Sequence, residues 1–221
     1  VPNQTDFTTR LGGWLFRHRT SLPLPFAAAI LILPAGLAPP SVGLIASGVA
    51  VTMLGEMLRL WGVHHIGAIS RTRTDRLGPL VDSGPFAMIR NPLYVGNIAI
   101  WVGFALTARL VSLAPIILVL LGLEYHAIVR WEEHLLESRL GNAYRAYAAR
   151  VPRWVPTFKR GARPSTSSGR ARTQESPPAP SLMVSLSHEA GYSWRETIFS
   201  ERGTLLAIVA GYLLLWLKAR S

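Results

Sequence analysis

The chain contains no cysteine. That excludes disulfides, thiolate nucleophiles and thiolate metal ligands, and leaves the redox compartment unmarked. Negative charge is scarce as well: 12 acidic residues stand against 23 lysines and arginines, for a formal charge of +11. Charge of either sign is missing altogether from Pro23 to Gly55. One crossing of the hydrocarbon takes only about 20 helical residues, so this run is long enough for two. Proline lacks the amide proton that helix bonding needs, so the Pro39-Pro40 pair divides the run into a helix ending near Leu37 and a second from about Ser41 to Val63. The uninterrupted continuation through a second span argues for a retained membrane segment rather than a secretory signal.

Two further uncharged blocks, Pro92 to Ala108 and Leu110 to Leu123, are separated by Arg109, a connection short enough only for a hairpin. The last block, Gly203 to Leu217, is short for a span, with Trp216, Lys218 and Arg220 placed to anchor its end at the interface. The expectation is an all-α, polytopic membrane protein of about five transmembrane helices. Its basic residues gather in Arg10 to Arg19, Arg71 to Arg90 and Arg130 to Arg172. All three stretches flank spans, so the excess of positive charge on cytoplasmic loops accounts for the net charge without nucleic acid. The Pro39-Pro40 and Arg109 turns then lie on the other side, and Lys218 and Arg220 join them against the charge rule.

After the fourth span, "EYHAIVRWEEHLLESRLGNAYRAYAARVPRWVP" continues as a helix out of the bilayer, with Ile128, Leu135, Leu136 and Leu140 at helical spacing and Arg130, Glu133, Glu137 and Arg139 on other faces. Gly141 is placed to end it, Asn142 to cap a shorter helix carrying Tyr144 and Tyr147, and Pro152 to stop that one. These helices form a cytoplasmic cap. From Lys159 to about Ser187 the chain is rich in Pro, Ser, Arg and Thr and carries too little apolar surface to offset ordering entropy. The organisation expected is therefore a basic segment and transmembrane hairpin (1–63), a core of two spans and the cap (64–158), a low-complexity linker (159–187), and an amphipathic segment with a short last span (188–221).

Adjacent residues on a helix point about 100° apart, so Glu132 and Glu133 cannot both face away from the protein. Arg90, Asn91 and Tyr94 stand at the membrane entrance of the third span, at the same depth and on the same side as the glutamates. Singly, each has a plain structural reading: Arg90 snorkels to headgroups, the glutamates decorate a solvated helix, and Tyr94 joins an aromatic belt. In combination with "SGPF", where Gly84 permits close backbone approach and Pro85 stiffens the chain, they point to a site.

"LVDSGPFAMIRNPLYVG" followed by "EEHLLESRLGNAYRAYAARVPRWVP" resembles the isoprenylcysteine carboxyl methyltransferase family and its phospholipid methyltransferase relatives. Those families show L-V-x-x-G-P-Y-x-x-x-R-H-P-x-Y-x-G, then E-E-x-x-L, G-x-x-Y-x-x-Y and V-x-R-x-x-P. The likeness spans about Arg59 to Pro156, leaving the first two spans, the linker and the last helix outside it. It implies a membrane enzyme transferring a methyl group from S-adenosylmethionine, with the active site on the cytoplasmic side and a lipid-like or small hydrophobic acceptor. Carried over by position, Leu80, Val81, Phe86, Asn91, Pro92, Leu93, Tyr94 and Glu132 hold the cofactor, with Glu133 beside it; Arg90 and Glu133 are the candidate catalytic residues, and Arg130, two residues from the family's substrate-directed position, is the candidate substrate contact. No metal is implied. The chain departs from the pattern where Asn91 replaces His, Phe86 replaces Tyr, Gly78 replaces His, and Ile128 stands where the prenylcysteine enzymes have a substrate-directed Arg. These departures argue against prenylcysteine.

A carboxylate acceptor needs only a cation such as Arg90 or Arg130 to position it, whereas an amine must first lose a proton, for which Glu133 is the candidate base. The residues leave both open. An iron oxygenase needs clustered histidines, and His64-His65 is the one cluster in the sequence. A nicotinamide-dependent reductase of the sterol type shares an arginine-proline-tyrosine segment but has more spans. A scaffold or channel needs polar span interiors, for which Glu56 and Arg59, one turn apart, offer little.

Overall fold

The computed structural model describes residues 7–34, 41–67, 80–157 and 193–220, and these are all helical or connecting, with no strand among them. The Pro39-Pro40 turn, Gly78 and the 159–187 linker lie outside the described residues. In chain order the α-helices are α1 (Phe7–His18), α2 (Leu24–Ile32), α3 (Val42–Ile66), α4 (Pro92–Thr107), α5 (Leu113–Leu140), α6 (Asn142–Arg150) and α7 (Trp194–Lys218), with a 3₁₀ turn at Gly84–Ala87 before α4. Three of them, α3, α5 and α7, are long and apolar enough to cross a membrane; α4 is a shorter apolar helix. At about 1.5 Å per residue, α5 is roughly 42 Å long, enough to leave a hydrocarbon core of about 30 Å and carry its last turns into the cap.

The final helix is longer than its uncharged block suggests. Ser193 and Glu196 form a reciprocal capping box that starts α7 at Trp194, nine residues before the uncharged block that begins at Gly203. Helix α5 begins later than the apolar block expected as the fourth span, at Leu113, because residues 108–112 form the turn: Arg109 adopts φ 63° while its N–H and that of Leu110 bond back to Leu106 and Ala105.

Helices α3 and α4 pack antiparallel through small residues. A Cβ on Gly55 would meet the Gly96 carbonyl at 2.7 Å, and one on Gly103 would meet the Gly48 carbonyl at 2.6 Å. Each pair is seven residues on from the other along its helix, so the same stripe faces the partner after two turns and the backbones come into contact. Larger side chains at those positions would hold the helices apart. Helix α1 uses the same device against α5, where Gly12 lies on the Ala127 carbonyl and Trp131, and Phe16 packs its ring 4.8 Å from that of Trp131. Helix α7 runs antiparallel to α3: Trp194 stacks on His64 at 4.2 Å, Tyr212 donates to Thr52 at 2.8 Å, and Lys218 donates to carbonyls at the end of α2. The sequence places Lys218 at the end remote from the cap, and there it neutralises the open carbonyls of α2.

Candidate active site

Where α4 begins, proline is the first helical residue; its missing N–H would have had no partner there and its φ is already helical. Asn91 does not cap this helix with its side chain. Its amide instead donates to the Arg153 carbonyl at 3.1 Å. Two backbone bonds run beside it, Arg90 N–H to Pro152 O and Thr157 N–H to Met88 O, both 2.9 Å. The segment after α6 is thus laced to the approach of α4, and this lacing brings Arg153 to the site.

The divergence of Glu132 and Glu133 is realised. Glu133 accepts from Arg90 Nη1 at 2.8 Å and is gripped by Arg153 through Nε to Oε1 at 3.0 Å and Nη2 to Oε2 at 2.5 Å. Glu132 faces the other way and accepts from the Tyr94 hydroxyl at 2.9 Å. Tyr94 lies against Tyr125, ring centroids 4.7 Å apart. The fork of Glu133 on Arg153 raises the pKa of that guanidinium further above its ordinary value, burial opposing it. On α6, burial pushes the Tyr144 phenol up to about 12, with the Glu133 carboxylate adding to it and the Arg90 hydrogen bond opposing. Tyr147, raised by burial in the same way, donates to the Phe86 carbonyl at 2.9 Å.

A cavity of about 460 Å³ opens beside Glu133, lined by Arg90, Arg130, Arg153 and Tyr144, with Thr9 of α1 and His134 at its edge. Of the expected site residues, Arg90, Glu133 and Arg130 line this cavity together, and Tyr94 and Glu132 form their own pair. Leu80 packs with Tyr144, Tyr147 and Val151 under the cap, and Phe86 is buried nearby. Val81 is half-buried and outside the cavity lining. Pro92 and Leu93 turn elsewhere: both face Gly62 of α3, because a helix starting at Pro92 directs that side toward its antiparallel partner. Asn142 is likewise not a cap; Gly141 at φ 51° both ends α5 and starts α6, and the Asn142 carboxamide oxygen accepts from Arg145.

Gly84 adopts φ 57°, and its missing side chain leaves the space that the His65 ring fills. His65 and His64 are both hydrogen-bonded, to the Trp61 carbonyl and Thr197 respectively. Among the described residues no three His, Asp or Glu side chains are grouped to hold a metal ion. Sequence reasoning assigned no role to Arg153, although it stands in the V-x-R-x-x-P stretch; its partner is 20 residues away and only the docking of that stretch reveals it. It also read the span interiors as poor in polar groups. In the structure Arg59 bonds Asn97 and Glu201, from two other helices.

Residues 44–143 match the family model described as phospholipid methyltransferase. The match takes in α3, so the second span, expected outside the resemblance, lies within it. The chain is 34% identical over 116 residues to the nickel-cobalt-cadmium resistance protein NccN of Alcaligenes xylosoxydans xylosoxydans, covering 52% of this chain and 51% of that protein. It is 27% identical over 113 residues to the cobalt-zinc-cadmium resistance protein CzcN of Cupriavidus metallidurans, covering 51% and 49%. The chain therefore aligns with about half the length of the curated relatives it matches. No solved structure matches it significantly. The motifs and the helical architecture agree with that match: residues 44–143 are similar to the phospholipid methyltransferase family.

Proposed function

We propose that the protein is a multi-pass membrane methyltransferase that uses S-adenosylmethionine to methylate a lipid-like or small hydrophobic acceptor. The observation that carries this reading is the junction of α4 and α5, where Arg90 meets Glu133 at 2.8 Å beside a cavity of about 460 Å³ and Tyr94 meets Glu132 at 2.9 Å on another face of α5. That volume falls in the range of small-molecule sites, roughly 300 to 1,000 Å³. Its lining suits the cofactor: guanidiniums for a carboxylate, and carboxylates for an ammonium and a sulfonium. S-adenosylmethionine, when bound, supplies a methyl group activated on sulfur. The contribution of the chain is alignment, exclusion of water and a matched field.

Within this reading Arg90 and Arg153 hold anionic groups, and Arg130, exposed at the cavity, meets the acceptor. Glu133 is a poor general base. Both of its oxygens are taken up by the Arg90 and Arg153 guanidiniums, and its role is to hold both arginines in place. Glu132 accepts from a neutral phenol and is the better candidate for contacting the cofactor or for taking a proton from an amine. The cap is assigned to the cytoplasmic side because Arg90, Arg130, Arg145, Arg150 and Arg153 gather around it. About five spans follow if α4 and the block containing α2 also cross.

Titration of purified protein with S-adenosylmethionine and with reduced nicotinamide cofactor tests the reading, followed by transfer of radiolabelled methyl to extracted membrane lipids. Binding of the sulfonium compound, weakened by Glu132→Ala, is expected. Selective binding of the nicotinamide compound overturns the reading in favour of a reductase.

A further inference from the structure

Four helices meet in a buried polar cluster, none of whose residues lines the cavity. Arg59 of α3 donates from Nη1 to the Asn97 carboxamide oxygen on α4. Through Nη2 it donates to Glu201 at 2.5 Å and to Thr204 at 3.3 Å, both on α7. Glu201 is 3% exposed and Glu56, also beside Arg59, is 4% exposed. The phenol of Tyr125 on α5 lies within reach of the Asn97 side chain. The Asn97 oxygen is occupied by Arg59, so its NH₂ is the group available to Tyr125. Tyr125 packs on Tyr94, which donates to Glu132.

Ionisable groups at membrane depth are costly and need a reason to be there. Holding α7 against α3 is an insufficient one, since Tyr212 with Thr52 and Trp194 with His64 already do so. What Arg59 adds is a connection running on to Asn97. Glu56 sharpens the point. Its Oε2 lies 3.5 Å from Arg59 Nε without a hydrogen bond, and neither of its oxygens has a hydrogen-bond partner. It is a standing competitor for the guanidinium, and Glu201 is what keeps Arg59 turned toward Asn97.

We propose that α7, which lies beyond the family-matched residues, is part of the active site: Glu201 is a positioning residue that acts through Arg59 and Asn97 to fix Tyr125 beside Tyr94 and Glu132. This rests on the reading of Tyr94 and Glu132 as the cofactor contact. Neutralising Glu201 releases Arg59 toward Glu56, Asn97 loses its orienting donor, and Tyr125 loses the amide that holds its ring in register.

The test uses the full chain in detergent with 3-fluorotyrosine at position 125. Glu201→Gln is expected to shift the fluorine resonance, and Thr204→Val to shift it less. Tyr212→Phe, which removes a different α7 to α3 bond, is expected to lower the melting temperature without moving the resonance. For methyl transfer, Glu201→Gln is expected to lower kcat/KM by about 2- to 30-fold, the range of coupling through packed networks, and to cause no further loss in a Tyr125→Phe background. An unmoved resonance in Glu201→Gln, or a loss that repeats in full in the Tyr125→Phe background, overturns the proposal. If the wild type fails to bind S-adenosylmethionine, the functional reading falls, while the fluorine resonance still decides whether Glu201 reaches Tyr125.

Discussion

Substituting Glu133 by Gln separates the two adjacent glutamates more sharply than any other single change. Glu133 is 15% exposed at its side chain, as is Arg90, and Arg153 is 30% exposed, so three charges share a site that water reaches only in part. A carboxamide can accept from one guanidinium but cannot satisfy the fork from Arg153 and the bond from Arg90, and it removes the only carboxylate between two positive charges. Breaking a fully buried pair costs about 3 to 5 kcal/mol. The partial exposure of Arg153 brings this toward the value of an exposed pair, so about 2 to 3 kcal/mol is expected. For a chain of this size that corresponds to a fall in melting temperature of roughly 4 to 12 °C. The fluorescence of the seven tryptophans in detergent reads it directly. Glu132→Gln provides the contrast, because Gln still accepts from Tyr94: the melting temperature should stay close to wild type while affinity for S-adenosylmethionine falls. A melting temperature for Glu133→Gln within a degree of wild type would refute the reasoning, since it would mean that the arginines do not depend on this carboxylate.

Three other outcomes are expected. Tyr94→Phe leaves Glu132 without its donor, which should cost about 1 to 3 kcal/mol in chemical denaturation and weaken cofactor binding. Gly12→Val drives side-chain atoms into the Ala127 carbonyl and Trp131, so α1 should detach and amide exchange of residues 7–18 should rise, with α3 and α4 unaffected. Alkaline stability should fall between pH 10 and 12: the unfolded chain gives up the Tyr144 proton near 10 and the folded chain only near 12, so stability is unaffected below that window and declines through it. Tyr144→Phe should make the decline of melting temperature across that window shallower; an unchanged slope would show that the phenol is not desolvated.

Much of the architecture was legible because membrane burial leaves a coarse mark. A charge-free run is visible in composition alone, so the existence of α3, α4, α5 and α7 follows from it, and a helix-ending glycine, Gly141, marks the end of α5. The boundaries were less legible: the capping box at Ser193 lies outside the apolar run, and Arg109 in a left-handed turn delays the start of α5. At the site, adjacency and helix geometry were enough to say that Glu132 and Glu133 diverge. They were not enough to say which partner each would take. Pro92 and Leu93 sat in the right motif, yet they pack against Gly62, because the azimuth of a helix is set by its neighbour and not by its own pattern.

By itself the sequence determined that this is a helical membrane protein and that a charged pair and a tyrosine stand where α4 and α5 meet the cap. It did so because desolvation penalises charge residue by residue, and such penalties are written locally. Only the tertiary structure decided that Arg153 forks onto Glu133, that Tyr94 belongs to Glu132, and that Arg59 joins Asn97 to Glu201 across 142 positions of chain. Hydrogen bonds of that kind depend on distances of a few ångströms between helices whose rotation is fixed by glycine contacts such as Gly55 on Gly96, and no local pattern encodes that rotation.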